Sequence, residues 1–497
     1  MKMIKYIVPF FLILAVASSC KVGESYTRPE TDIPEEFYGG EKLQDSIFVG
    51  EKQIAHISWT EFFKDSTLNS LIEEALDHNF DLQKAAKQIE ISNESFLQSK
   101  ANFLPSLGAT PGSFRREYYS ENFNNYGSNR SRRNHPDGVP TTLYTENLAY
   151  AVSLQSSWEL DVWGKLAWQK DAALAKYLQT QEFQKALQTA IVSEIASTYF
   201  NMLMLKSQLT VAQRNFALSQ NTLKIVKLQY DAGEITALAI QQTESQMLRA
   251  KALIPQLEKA YTLHENRLNN LLGKTPGTIA LSGVLEDLAL SNSYSTGVPL
   301  ELIQNRPDVL ASEYNLVASN ARVGIAQAMK YPSLTISAGM GLNSMQLGTV
   351  LDPIGSGFAL LNGALFQPIF QNRKLKTNHQ IAIKQREIAE LDFREKVNTA
   401  VTEVSDALVN MEKLQEEYEI AQTRMRTTTK GMTNAFLLFE SGFANYLEII
   451  NAQEDALQNQ LEVVQLKMQL ALAKVELYRS LGGGWREESV DTESTEQ

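Results

Sequence analysis

Hydrophobic and polar positions along this chain recur with two different periods, and each change of period marks an element. From Leu148 to Leu160 the period is 2. Leu148, Tyr150, Val152, Leu154, Ser156, Trp158 and Leu160 form one face, and Ala149, Ala151, Ser153, Gln155, Ser157 and Glu159 the other. Leu334, Ile336, Ala338, Met340 and Leu342 alternate in the same way with Thr335, Ser337, Gly339, Gly341 and Asn343. This pattern predicts strands with one apolar face. Strands are expected over about 106–118, 143–160, 333–343 and 355–368, the last less regular, with Asn362 falling on its apolar face.

Elsewhere the period is helical. The stretch from Lys165 to Tyr230 has no proline, and Val192, Ile195, Tyr199, Met202 and Leu205 recur along it. Val397, Val401, Val404, Leu408 and Met411 step by 4 and 3, as do Leu457, Leu461, Val464, Met468, Ala471 and Val475. Steps of 4 and 3 make a heptad seam between long helices packed side by side. At about 1.5 Å per residue, a helix over the first stretch reaches roughly 100 Å. That length suits a rod or a tube better than a compact domain.

The pattern occurs twice. Leu76 through Leu107 lies on Ile303 through Leu334 at an offset of 227, with Asp81 on Asp308, Asn93 on Asn320 and Pro105-Ser106-Leu107 on Pro332-Ser333-Leu334. Further on the offset is 209, with Glu194 on Glu403, Gly233 on Gly442, Leu238 on Leu447 and Leu272-Gly273 on Leu481-Gly482. The chain therefore reads as a tandem duplication whose first copy carries a longer loop between Pro105 and Trp158. The expected organisation is a signal peptide over 1–19, an extended segment over 20–58, copies over 59–285 and 286–485, and a polar tail over 486–497.

The N-terminus changes the picture. Lys2 and Lys5 precede an apolar run from Ile7 to Val16, small residues 17–19 and then Cys20, the single cysteine. This is a secretory signal layout, and it places a lipid-modifiable thiol at the start of the mature chain. No later stretch is apolar enough to be a transmembrane helix, so any membrane crossing must be by strands. A half-buried soluble sheet would alternate in the same way. The anchor and an aromatic band of Tyr150, Trp158, Phe358 and Phe366 favour a membrane barrel. Two strands per copy make four per chain, whereas the smallest single-chain barrels use about eight. Such a barrel must be shared between chains.

Charge and composition narrow the function. The net charge of −11 argues against a nucleic-acid partner. His56, His78, His135, His264 and His379 lack ligand spacing, so no metal site is expected. Met202, Met204, Met425 and Met432 read as helix packing. No phosphate-binding loop or assembled nucleophile is present, so no enzymatic activity and no cofactor are expected. Arg115, Arg116, Arg130, Arg132 and Arg133 fall in the long first-copy loop, which would lie outside a barrel. The sequence leaves two readings, a passive conduit and a tethered α-helical envelope lipoprotein that binds or scaffolds.

Several motifs carry a resemblance. They are Cys20-Lys-Val-Gly, Arg28-Pro29, Leu104-Pro105-Ser106, Trp158-Glu159-Leu160-Asp161, Trp163-Gly164, Asn305-Arg306-Pro307-Asp308-Val309 and Leu481-Gly482-Gly483-Gly484-Trp485. Taken together they resemble the TolC-like outer-membrane factors, in the OprM-like lipoprotein branch. The resemblance implies a mainly α fold, with a long α-helical barrel and a homotrimeric twelve-stranded β-barrel in the outer membrane. It implies a mixed belt near residues 60–75, 275–300 and the C-terminal part. It also implies a periplasmic adaptor and an inner-membrane pump of the RND or ABC type as partners. The periplasmic tips would be the helix turns at Gly233 and Gly442, with Leu238 near the adaptor. The gate would be Leu447, Asn451 and Phe439. Asn451 stands where relatives often have aspartate and Phe439 where they often have tyrosine, so packing more than polar links is expected to hold this gate. Asn372-Arg373 stands where relatives have glycine; asparagine tolerates left-handed backbone, so the turn is expected to survive.

Overall fold

The structure, a computed structural model, describes residues 21–31, 33–34, 37–38, 56–120, 144–283, 299 and 302–486. Cys20 and the signal peptide, most of the arginine-bearing loop, the middle of the expected belt at 284–298 and the tail lie outside these residues. In chain order the elements are α1 (Trp59–Phe63), α2 (Ser66–His78), α3 (Phe80–Ala101), β1 (Ser106–Ser120), β2 (Tyr144–Leu160), α4 (Lys165–Asp231) and α5 (Ala237–Leu271). There follow α6 (Leu302–Asn305), α7 (Pro307–Ala328), β3 (Ser333–Ser344), α8 (Pro353–Ser356), β4 (Gly357–Phe366), α9 (Lys374–Glu440) and α10 (Tyr446–Ser480). The duplication returns in the lengths of the main helices. α3 and α7 are both 22 residues, α4 and α9 both 67, and α5 and α10 both 35.

The chain folds as two compact units, each drawing on both copies. One holds Met1–Thr27, Ser92–Lys176 and Leu316–Ile388 and contains the sheet. The sheet is antiparallel in the order β1-β2-β3-β4, so β1 and β4 are its edges. β1 takes an extra residue between Thr110 and Ser113, where Pro111 has no N–H to give the ladder. Register sets the faces, because directly paired residues point the same way. Leu160 pairs with Leu334, Trp158 with Ile336 and Leu154 with Met340, so the apolar residues of β2 and β3 share one face. On β4 that face continues through Leu365, paired with Leu334, and Leu361, paired with Ala338.

This register corrects the expected aromatic band. Tyr150 and Trp158 lie on the apolar face, but Phe358 pairs with Gly341 and Phe366 with Ser333, on the opposite face. Asn362 pairs with Ser337 on that second face as well, so it does not interrupt the apolar one. β4 is apolar on both sides, and its own alternation therefore does not reveal which side is which.

The other unit holds Arg28–Ile91, Tyr177–Asn315 and Ala389–Gln497. Here α1 and α2 pack on the long helices. The Phe62 ring stacks on Tyr478 with centroids 4.2 Å apart, and the Tyr478 hydroxyl donates to the Ile57 carbonyl at 2.8 Å. Tyr199 donates to Asp65 at 2.7 Å, while Asp65 also caps α2 through its other carboxylate oxygen. A buried ion network ties the start of α7 to α9 and the end of α10. Arg306, its side chain 3% exposed, grips Asp308 through two nitrogens at 3.0 and 2.8 Å and reaches Glu403 at 2.7 Å. It also donates to the Ser480 carbonyl at 3.0 Å, and Lys396 pairs with Asp308 at 2.8 Å. Burial pushes the Asp308 carboxyl up, but Arg306 and Lys396 outweigh it and hold the group well below the usual carboxylate range.

Candidate functional site: paired hairpin turns and a membrane face

Two helical hairpins, α4–α5 and α9–α10, turn in the same way. Gly233 and Gly442 adopt left-handed backbone with φ of 78° and 76°. At the first, Glu234 N–H returns to the Gln229 carbonyl at 2.9 Å; at the second, Phe443 N–H returns to the Leu438 carbonyl at 2.8 Å. Both are helix ends closed by a left-handed residue with a six-to-one bond, for which glycine is the least strained choice. Asn445 then starts α10 by accepting from the Leu447 and Glu448 N–H groups at 2.9 and 3.1 Å.

The two turns are packed against each other. Val226, Ala239, Phe439 and Ile449 form a buried cluster, flanked by Ile225, Ile235, Ile240, Phe436, Ala444 and Tyr446. Phe439 is thus a packing residue beside the turn, 2% exposed. Leu447 is 44% exposed and Asn451 is exposed one turn further along α10, so these two share a face that the chain itself leaves open. Leu238, the first-copy counterpart of Leu447, is exposed too.

Two polar links between the hairpins are not apparent from the sequence, from which packing more than polar links is expected. The Tyr446 hydroxyl donates to Gln242 Oε1 at 2.9 Å, and buried Gln453 donates through Nε2 to Thr222 Oγ1 at 2.8 Å. In the sequence these are ordinary polar helix positions, and nothing distinguishes them from solvated ones.

The segment following Cys20 is seated on the base of the sheet's own unit. Lys21 pairs with Asp171 at 2.6 Å and lies 3.5 Å from the Trp168 ring centre. Val22 accepts from the Trp168 indole at 2.7 Å and donates to the Trp163 carbonyl at 3.1 Å. Asn320 donates to the Glu24 carbonyl at 3.0 Å. Among the described residues no cluster of His, Cys, Asp and Glu could hold a metal ion, and no helix is long and apolar enough to cross a membrane.

A four-stranded sheet with two open edges and one apolar face, repeated helical hairpins and a duplicated chain define an outer-membrane channel protein. The chain belongs to the outer membrane efflux protein family, which matches residues 71–274 and 298–483, one segment for each copy. It is 28% identical over 482 residues to the toluene efflux pump outer membrane protein TtgF of Pseudomonas putida, covering 95% of this chain and 96% of that one. It is 25% identical over 481 residues to the cation efflux system protein CusC of Escherichia coli, covering 97% and 99%. The fold is that of the outer-membrane channel OprN, with a TM-score of 0.83 at 22% identity, covering 94% of this chain and all of the other. The protein is an outer-membrane efflux component.

Proposed function

We propose that this chain is one subunit of a homotrimeric, gated and passive conduit, without enzymatic activity of its own. In this reading it works with a periplasmic adaptor and an inner-membrane pump of the RND or ABC type. The observation that carries the proposal is the sheet. A four-stranded sheet whose apolar face is exposed and whose two edges are unpaired within the chain is not viable alone in lipid, and three copies closing on one another supply the missing partners. The exposed apolar face and the family support a conduit over a tethered helical lipoprotein.

The gate is proposed at the paired turns. Leu447 and Asn451 share the open face of α10, so symmetry would gather three leucines and three amides around the axis. Amides hydrogen-bond without charge, and such a ring would not select cations as carboxylates do. Exposed Leu238 beside Gly233, and Phe443 beside Gly442, offer apolar contacts for adaptor hairpins. Cys20 is proposed as the lipid attachment point. Toluene and cations appear in the names of relatives of similar overall identity, which supports a duct whose pump chooses the cargo.

The test is single-channel conductance of purified protein in planar bilayers, wild type beside Leu447→Ala/Asn451→Ala. A small wild-type conductance that rises sharply in the variant is expected. Stable pores indifferent to the change would move the gate elsewhere. Folded protein that forms no pores would sink the conduit.

A further inference from the structure

The duplication provides an internal control for the corner where the sheet passes into the long helices. In the first copy Trp158 at the end of β2 donates to the Phe103 carbonyl at 2.9 Å; in the second copy the equivalent bond runs from Gln367 to the Lys330 carbonyl at 3.2 Å. Both copies share this bond, and Gly164 and its counterpart Arg373 are both left-handed, so the side chains can be compared place by place.

In the first copy the corner is neutralised. Glu159 pairs with Lys165 at 2.6 Å, and Asp161 caps α4 by accepting from the Leu166 and Ala167 N–H groups, each at 2.8 Å. Gly164 makes the turn at φ 75°. In the second copy the same three places hold Pro368, Phe370 and Arg373, while Lys374 keeps the place of Lys165. Both acids are gone and a cation has been added. Phe103 and Ala167 have likewise become Lys330 and Lys376. From Tyr314 to Arg386 the sequence has one acid, Asp352.

The added cation sits on strained backbone. Asn372 and Arg373 are both left-handed, at φ 46° and 66°, where glycine would be relaxed. Arg373, Lys374 and Lys376 are exposed, and Lys330 and His379 half-buried beside them. Burial, and then the Lys376 charge, push the Lys330 ammonium below its ordinary value; burial, and then Lys330, do the same to His379. Lys330 thus lies near both Lys376 and His379, and none of the five side chains enters an ion pair among the described residues. Next to them Ile369 and Phe370 are 96% and 82% exposed, directly after the strand whose Leu361 and Leu365 continue the apolar face.

Unneutralised cations beside bare apolar side chains at the end of a membrane strand match the chemistry of one ligand. We propose that this second-copy corner is a seat for anionic phospholipid in the leaflet on the helix side of the barrel, its cations taking the headgroup phosphate and Ile369 and Phe370 the start of the acyl region. The proposal rests on the sheet lying in the membrane; its distinctive content is that the seat belongs to the second copy only.

The experiment exchanges the corner for its first-copy counterpart in the full-length mature protein. Lys330→Phe/Arg373→Gly/Lys376→Ala installs the residues of the first-copy corner, and Arg373→Gly/Lys376→Ala is the milder form should the triple variant misfold. Binding of phosphatidylglycerol and phosphatidylcholine to the detergent-purified oligomer is measured by native mass spectrometry, with inorganic phosphate as competitor. Wild type should prefer phosphatidylglycerol, and the preference should fall by about fivefold for each cation removed. Equal preference in wild type and both variants overturns the seat. Full competition by millimolar inorganic phosphate makes it a small-anion site and overturns the lipid. Protection of these lysines from acetylation in the delipidated oligomer makes the occupant a second copy of the chain and overturns the lipid as well. If the protein leaves membranes without detergent, it is the barrel reading that has failed instead.

Discussion

The buried bond between Gln453 and Thr222 lies 11 residues from each glycine turn, about 16 Å along each hairpin at the helical rise. Thr222→Val keeps the shape of the side chain and removes the acceptor, so the Gln453 amide is left unsatisfied at a site where Gln453 is 2% and Thr222 0% exposed. A buried donor without a partner costs about 1–3 kcal/mol. If the hairpins part when the conduit opens, the amide meets water in the open state, and the whole cost falls on the closed one. The closed-to-open ratio should then drop by about 5- to 150-fold per chain. Tyr446→Phe removes an exposed bond and should move the ratio far less. The assay is open probability in planar bilayers, with heat dissociation of the oligomer measured in parallel. A Thr222→Val protein that is less heat-stable but equally closed would refute the reasoning, because the two hairpins would then move as one body.

Other consequences can be checked singly. Asp308 has a folded pKa far below its unfolded value, so its stabilisation is full above about pH 4 and is lost only as pH falls from there through the much lower folded pKa; the melting difference between wild type and Asp308→Asn should be full at pH 7, somewhat reduced but still substantial at pH 3, and lost only at more acid pH. Gly442→Ala should cost only the left-handed backbone, about 1–2 kcal/mol, because an added Cβ meets nothing within 4 Å, whereas Gly482→Ala also drives a Cβ into the Asn305 carbonyl and should lower the melting temperature more. Phe439→Ala empties a buried site and should cost about 3–5 kcal/mol in denaturant unfolding. Cys20→Ala should abolish incorporation of radiolabelled palmitate while leaving the folded oligomer intact.

The sequence was legible where a period repeated. The 227 and 209 offsets return as helices of equal length, and Asn372-Arg373 turns left-handed as expected from asparagine's tolerance. It was not legible where both choices were apolar. Phe358 and Leu360 alternate with Ala359 and Leu361, and only pairing to β3 decides which pair faces the apolar side. Phe439 posed the same difficulty, since a large apolar residue near a helix end suits a buried cluster as well as an open lumen. The Gln453–Thr222 and Tyr446–Gln242 bonds were invisible because partners more than 200 positions apart leave no local pattern.

The unpaired edges of β1 and β4 also have a genetic consequence. A chain whose β4 edge is disabled, for example by proline, could still offer a sound β1 to a neighbour and so enter the ring. In the proposed three-chain ring, with defective and normal chains made in equal amounts and mixing at random, about one ring in eight would be wholly normal. Such an allele should therefore be dominant over the normal copy in the same cell, while a null allele, which contributes no edge at all, should be recessive.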